Sequence, residues 1–146
     1  MRGGSEVTWD RILKWVAAAA GAVAGLFGGW SRMHTILAVF MIVDYLTGCV
    51  VAALGRSPKT EGGGLSSKAG FVGLAKKGFM LAVVLLATLL DGALGSQAAV
   101  FQGATLCYYI ANEGLSILEN AALMDVPFPD KLRKALETLR DRESRE

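Results

Sequence analysis

The sequence predicts an all-α, polytopic integral membrane protein with about four transmembrane helices and a short C-terminal amphipathic helix. Three observations predict this class. Of the 146 residues, 53% are apolar and only 19% are charged, and the mean hydropathy of +0.43 is too high for an ordinary water-soluble domain. Four stretches approach the roughly 20 residues that a helix needs to cross a bilayer core. The Lys and Arg residues are grouped at three places in the chain.

The four predicted spans are approximately residues 12–30, 35–54, 78–94 and 98–118. The first has features of a signal peptide, because Arg11 and Lys14 precede an Ala-rich run, but the apolar run continues through Trp30. We therefore interpret it as a retained anchor. Only a tight turn at Gly95-Ser96 separates the last two spans, so they form a closely packed helical hairpin or, alternatively, a re-entrant pair.

The basic residues lie at the N-terminus, in a central loop over 55–77 and in the tail, whereas the two short connections carry only Arg32 and His34. Cytoplasmic segments of membrane proteins are enriched in Lys and Arg. Four spans with both termini in the cytoplasm satisfy all of these biases. Three spans with the N-terminus outside would follow if the first helix were peripheral.

The central loop is expected to end in a short interfacial helix. Ser66 or Ser67 can cap this helix, and it carries Phe71 and Leu74 among basic residues. The basic residues of the cytoplasmic loop that we single out are Lys68, Lys76 and Lys77.

The chain divides into a transmembrane region over 1–125 and a cytoplasmic amphipathic tail over 126–146. Pro127 and Pro129 end the fourth helix, and Asp130 can cap a last one. That last helix presents one apolar face and is too short and polar to span; its face carries Leu132, Leu136 and Leu139.

Small residues recur every four positions in the first span, which predicts a smooth groove along one helix face. The residues that we assign to helix packing are Ala17, Gly21, Gly25, Gly29 and, in the second span, Gly48. Two interpretations stay open, packing within one monomer and self-association between copies.

Polar residues interrupt the apolar spans. An acid at the centre of a spanning helix costs about 2.5–3.5 kcal/mol, so such residues are expected to face a helix bundle, a water-filled cavity or another copy. The candidates are Asp44, Asn112, Glu113, Ser116, Glu119 and Asn120. A structural hydrogen bond between helices is the alternative. Asp91, by contrast, lies near the outer end of its span and is expected to reach the interface.

No pattern of a catalytic or metal site is found. The GxSxG and HExxH signatures are absent, and the lone His34 is expected to be a solvated loop residue. Cys49 and Cys107 fall inside predicted spans, where a thiol behaves as a small apolar group. We predict no enzyme, no cofactor and no metal, and the net charge of +2 gives no reason to expect nucleic acid.

Four motifs together resemble the toxin secretion/phage lysis holin family, in order from about residue 38 to 139. They are DYLTG (44–48), SSKAGFVGLAKK (66–77), Leu-Leu-Asp (89–91), and YYIANEGLSILENA (108–121) followed by Pro127-x-Pro129. The residues on the family's pattern are Asp44, Tyr45, Gly48, Ser67, Lys68, Gly70, Gly73, Lys76, Lys77, Asp91, Asn112, Glu113, Ser116, Glu119 and Asn120. The Ala/Gly-rich first span and the TEGGG insertion depart from the pattern.

The resemblance implies a phage-encoded protein of the bacterial cytoplasmic membrane that forms homo-oligomers and opens a lesion at a programmed time. Its partners would be membrane lipid, other copies of itself, and an endolysin or exported toxin that crosses the lesion without necessarily touching it. Two alternatives use the same residues: a small homo-oligomeric ion channel, and a membrane scaffold that leaves the bilayer impermeable.

Overall fold

The structure, a computed structural model, describes residues 4–95 and 98–143. These residues form five α-helices and no strands, so the predicted all-α class is confirmed for the described part of the chain. The helices are α1 (Gly4–Leu26), α2 (Arg32–Ala53), α3 (Ser67–Ala93), α4 (Val100–Leu123) and α5 (Asp130–Glu143). The chain divides between Trp30 and Ser31 into two compact units, of which the first contains α1 and the second contains α2–α5.

Two of the described helices, α2 and α3, are long and apolar enough to cross a membrane, which is fewer than the four predicted. Most of their surface is exposed and apolar; Phe79 keeps 74% of its accessible area and Ile42 keeps 59%. Helices in the core of a water-soluble protein are instead mostly buried. The faces that α2 and α3 present are therefore suited to lipid.

Helix α4 falls short of a span by composition because its second half carries polar residues such as Asn112 and Glu113. Helix α1 differs from the predicted span 12–30, since it begins near Gly4 and ends at Leu26. Gly28 and Gly29 have φ of +68° and +103°, a backbone that ends a right-handed helix. Gly29 consequently lies outside the predicted small-residue groove.

Helix α3 begins eleven residues before the predicted third span. The Ser66 hydroxyl accepts a hydrogen bond from the backbone N–H of Ala69 at 3.4 Å, which is the predicted cap, but the helix then runs unbroken to Ala93. No proline interrupts this stretch. The expected interfacial helix and the third span are thus one helix, and the segment that links α2 to α3 ends at Ser66.

Helix α4 is the central helix of the second unit and packs against α2, α3 and α5. Its buried residues Leu106, Ile110 and Leu118 form the core with residues of α2 and α3 such as Leu37 and Val84. Gln102 near the start of α4 donates to Thr88 near the end of α3 at 2.6 Å, so these two helices run antiparallel. Helix α2 runs parallel to α4, because Phe40 lies beside Gly114, and the later residue Thr47 beside Asn120.

The turn between α3 and α4 is closed by a side chain. Asp91 is 4% exposed, and its two carboxylate oxygens accept hydrogen bonds from the backbone N–H groups of Phe101 at 3.1 Å and Gln102 at 2.8 Å. The residue before α4, Ala99, has no side-chain oxygen with which to cap the helix. Asp91 supplies that cap from the preceding helix, and its position at the membrane interface stays a prediction.

His34 is also placed differently from the expectation. It lies in the first turn of α2 and is 4% exposed, with its Nδ1 atom 2.8 Å from the Ser31 hydroxyl. It therefore takes part in the start of a helix rather than in a solvated loop.

Candidate functional site

Three charged side chains from three helices meet inside the second unit. The ammonium of Lys77 on α3 donates to Asp44 on α2 at 2.8 Å and also to Glu113 on α4. The side chains of Lys77, Asp44 and Glu113 keep only 12%, 11% and 6% of their accessible area. One buried cation is thus shared by two carboxylates, and this charged cluster joins α2, α3 and α4.

An amide extends the charged cluster toward the carboxyl end of α4. The Asn120 side-chain nitrogen donates to the Asp44 carboxylate at 3.1 Å, to the Asp44 backbone carbonyl at 3.3 Å and to the Thr47 hydroxyl at 2.9 Å. Gly48 lies beside this amide, and a Cβ at this position would lie 3.8 Å from the same nitrogen, an ordinary contact distance. Asn120 therefore fixes the register between α2 and α4.

The charges of the charged cluster do not cancel. One Lys and two carboxylates sum to −1 when all three are ionised. A buried charge is tolerated when it is paired and hydrogen-bonded, and removal of its partner is costly. The amide N–H groups of Asn120 compensate part of the excess negative charge at Asp44. The charged cluster therefore depends most on Lys77, which is the only cation that the described residues place in it.

A cavity of about 550 Å³ adjoins the charged cluster. It is lined by α2, α3, α4 and the segment that links α2 to α3. Asn112 and Ser116 contribute to its wall, and so do Lys59 and Lys76, which form no ion pair within the described residues. The helix bundle therefore encloses a charged cluster beside a partly open cavity, while the outer faces of α2 and α3 are apolar.

The structure brings together some of the predicted polar residues and separates others. Asp44, Glu113 and Asn120 are in direct contact through the charged cluster, and Asn112 and Ser116 lie beside it on the cavity wall. Glu119 is exposed and lies outside the cavity lining. The polar candidates therefore fall into two groups, of which the larger surrounds one site.

The residues predicted for other roles are also placed. Lys76 and Lys77 line the cavity, whereas Lys68 is exposed in the first turn of α3. Ala17, Gly21 and Gly25 are exposed along α1, and a Cβ at either glycine would meet nothing within 4 Å. Within its own unit, the small-residue groove of α1 is therefore uncovered.

Sequence reasoning missed the role of Lys77 as the partner of both acids. Lys77 is 33 residues from Asp44 and 36 from Glu113, so no local spacing relates them. The available signal was the pair Lys76-Lys77 at the edge of a strongly apolar stretch, together with two unpaired acids in neighbouring spans. Thr47 gave no comparable signal.

Comparison with known proteins gives one family. A family model described as the bacteriophage holin family matches residues 21–141. The chain is 37% identical over 131 residues to an uncharacterised 14.9 kDa protein from the nagH 3′ region of Clostridium perfringens, covering 89% of this chain and 94% of the relative. It is also 34% identical to an uncharacterised protein of Halalkalibacterium halodurans, and the match covers 93% of this chain and 99% of the relative.

A further relative carries a functional name. The chain is 34% identical over 108 residues to a probable holin of Bacillus phage phi105, covering 74% of this chain and 73% of the relative. No solved structure matches the chain.

Proposed function

Because the chain belongs to the bacteriophage holin family, we propose that it oligomerises in the bacterial cytoplasmic membrane and opens lesions that release an endolysin or an exported toxin. The family is a membrane-permeabilising, non-enzymatic class. The observation that carries the proposal is the buried charged cluster of Asp44, Lys77 and Glu113 inside a bundle whose outer faces are apolar. An aqueous hole needs polar walls, and a protein that waits in a bilayer must first keep them away from lipid.

The proposed topology has four spans with both termini in the cytoplasm. Helices α2 and α3 supply two spans, and α4 runs beside them for 24 residues, or about 36 Å, which exceeds the roughly 30 Å of a bilayer core. Helix α1 has 23 residues and supplies the first span. This topology places the basic segment between α2 and α3 in the cytoplasm, as the positive-inside rule requires. Three spans result if α1 lies on the surface.

In the proposed mechanism, the groups of the charged cluster exchange their partners in the protein for water. In the closed monomer, the Lys77 ammonium is paired with both the Asp44 and the Glu113 carboxylates inside the bundle. When copies assemble, the helices rotate so that these groups, with Asn112 and Ser116, face a water-filled lumen. Water then replaces the lost ion pairs, which limits the cost of opening. The open small-residue groove of α1 provides close packing between copies.

The test is co-expression of the chain with a cytoplasmic cell-wall hydrolase that lacks a signal peptide. Abrupt culture lysis in the pair, and in neither single-expression control, would support a hole large enough for a folded protein. Depolarisation of the membrane without hydrolase escape would favour a narrow ion channel. An unchanged permeability at verified membrane expression would favour a scaffold.

Glu113→Gln tests the role of the charged cluster in timing. This substitution keeps the size of the side chain and removes one negative charge, so we expect the time of lysis to shift while the amount of protein in the membrane stays the same. Glu119→Gln is the matched control, because Glu119 is exposed and outside the charged cluster. Unchanged timing in Glu113→Gln would contradict the mechanism.

A further inference from the structure

Helix α5 lies antiparallel along α4. The two methyl carbons of Leu136 would lie 3.0 and 3.1 Å from a Cβ at Gly114, so the helices touch at this point. Gly114 lies nine residues before the end of α4 at Leu123, and Leu136 lies six residues after the start of α5 at Asp130. Helix α5 therefore folds back along α4, and the two turns after Leu136 continue from Gly114 toward the start of α4.

This placement sets the depth of the charges on α5. At a rise of 1.5 Å per residue, Cys107 and Ile110 lie about 10–15 Å from the start of α4. The last turn of α5, residues 140–143, lies beside this part of α4 and has the sequence Arg-Asp-Arg-Glu. If α4 spans a bilayer core of about 30 Å, all four charges would stand near the middle of the hydrocarbon.

A helix that carries these charges is unfavourable in the hydrocarbon core of a bilayer. Charged side chains at the bilayer centre are expensive unless a protein interior or water surrounds them, and no residue of 130–143 is buried. The Arg140 and Asp141 side chains keep 38% and 58% of their accessible area, which lipid would cover. A membrane-spanning α4 and an α5 docked on it are therefore mutually exclusive.

We propose that α5 leaves α4 when the bundle enters the bilayer, and that it moves to the cytoplasmic membrane surface. This inference rests on the proposed function, because it takes α4 to be a span. The occupant that fits the freed apolar face of α5 is the lipid interface, since a short helix with one apolar face and a strongly charged opposite face lies in that plane. The apolar face consists of Leu132, Leu136 and Leu139.

The chain between the two helices allows this movement. Residues 124–129 contain no helix and include Pro127 and Pro129, which keep α4 and α5 from merging into one helix. The first turns of α5 hold Lys131, Arg133 and Lys134, so three cations would meet the lipid phosphates at the cytoplasmic ends of the spans. The docked state shields the Gly114 face of α4 before insertion, and the bilayer takes over that shielding afterwards.

Labelling of single cysteines locates α5. In a background with Cys49→Ser and Cys107→Ser, Arg140→Cys in inside-out membrane vesicles should react with a membrane-impermeant maleimide before detergent is added. Leu86→Cys, on the lipid-facing side of α3, should stay protected. Protection at both positions would overturn the release of α5 and leave the membrane function intact. Reaction at Leu86→Cys would show that α3 is not inserted, and would refute the proposed function together with this inference.

A covalent link tests whether release is needed. The pair Gly114→Cys and Leu136→Cys, in the same background, places two thiols at the contact between α4 and α5. The oxidised protein, added to phosphatidylethanolamine–phosphatidylglycerol vesicles that contain a fluorescently labelled protein, should lose the release that the reduced protein shows. A later addition of reductant to the same sample should restore it, which controls for misfolding. Equal release by the oxidised and reduced forms would overturn the inference, and each single substitution serves as a control for the cysteines themselves.

Discussion

Removal of the one cation from the buried cluster should cost far more than removal of one of its two anions. Lys77→Met leaves the carboxylates of Asp44 and Glu113 facing each other with no counter-charge, at side-chain exposures of 11% and 6%. Breaking a buried ion pair by removing one partner costs about 3–5 kcal/mol. Glu113→Gln, by contrast, leaves a one-to-one pair between Lys77 and Asp44, and glutamine still accepts a hydrogen bond from the ammonium.

The expected difference is large enough to measure by thermal unfolding of the purified protein in a mild detergent. A change of 1 kcal/mol shifts the Tm of a chain of this size by about 2–4 °C, so Lys77→Met should lower the Tm by roughly 6–20 °C. Glu113→Gln should cost less than about 1.5 kcal/mol, the net value of one ordinary hydrogen bond, and should lower the Tm by less than about 6 °C.

The triple variant Lys77→Met, Asp44→Asn and Glu113→Gln provides the decisive control. Neutral replacements for a buried ionic group are often close to neutral in stability, so this variant should recover most of the Tm that Lys77→Met alone loses. Equal losses in Lys77→Met and Glu113→Gln would refute the charge balance described here. A triple variant no more stable than Lys77→Met would refute it as well, because the loss would then come from packing.

Three further substitutions test contacts elsewhere in the second unit. Gly63→Ala should open the segment between α2 and α3, since its Cβ would clash with the Gly55 carbonyl oxygen and φ at this position is +75°. Limited proteolysis should show faster cleavage of this segment than in Gly64→Ala, whose Cβ would meet nothing within 4 Å. Asp91→Ala should cost about 1 kcal/mol, seen as a Tm lower by about 2–4 °C, because α4 loses its cap. Gly114→Leu should displace α5 and expose residues 124–129 to protease in detergent, whereas Gly103→Leu, with open space around it, should not.

The helical class and the inward polar residues were predictable from the sequence because both follow from local physics. The cost of an acid in hydrocarbon predicts that Asp44 and Glu113 face the interior, and the structure buries both. Their partner was not predictable, because Lys77 was assigned to a cytoplasmic segment and meets the acids only when α3 continues as one helix. The sequence at the start of α3 contains both glycines and lysines, and such a sequence is compatible with an interfacial segment as well as with the first turns of a span.

Contacts between elements that are distant in the sequence could not be predicted from it. The apolar face of α5 was predicted from its leucine spacing, but an amphipathic pattern does not say which surface covers it. Gly114 is the small residue that permits the approach of α5, and one glycine in an apolar run is a weak signal. Asp91 was placed at the correct end of its helix, yet its role depends on a helix that starts nine residues later.

The length of α3 has a consequence for the choice of membrane. Its 27 residues measure about 40 Å, against a hydrocarbon thickness of about 30 Å. Tilt alone would have to exceed about 40°, the upper limit for transmembrane helices, so in the proposed topology roughly seven residues at the start of α3 extend beyond the hydrocarbon on the cytoplasmic side. Lys77 then lies about 5 Å inside the boundary between acyl chains and headgroups. A thicker bilayer places the lysine deeper in the hydrocarbon and a thinner one brings the boundary toward it, so hydrophobic mismatch becomes a variable that tunes how firmly the three helices hold together.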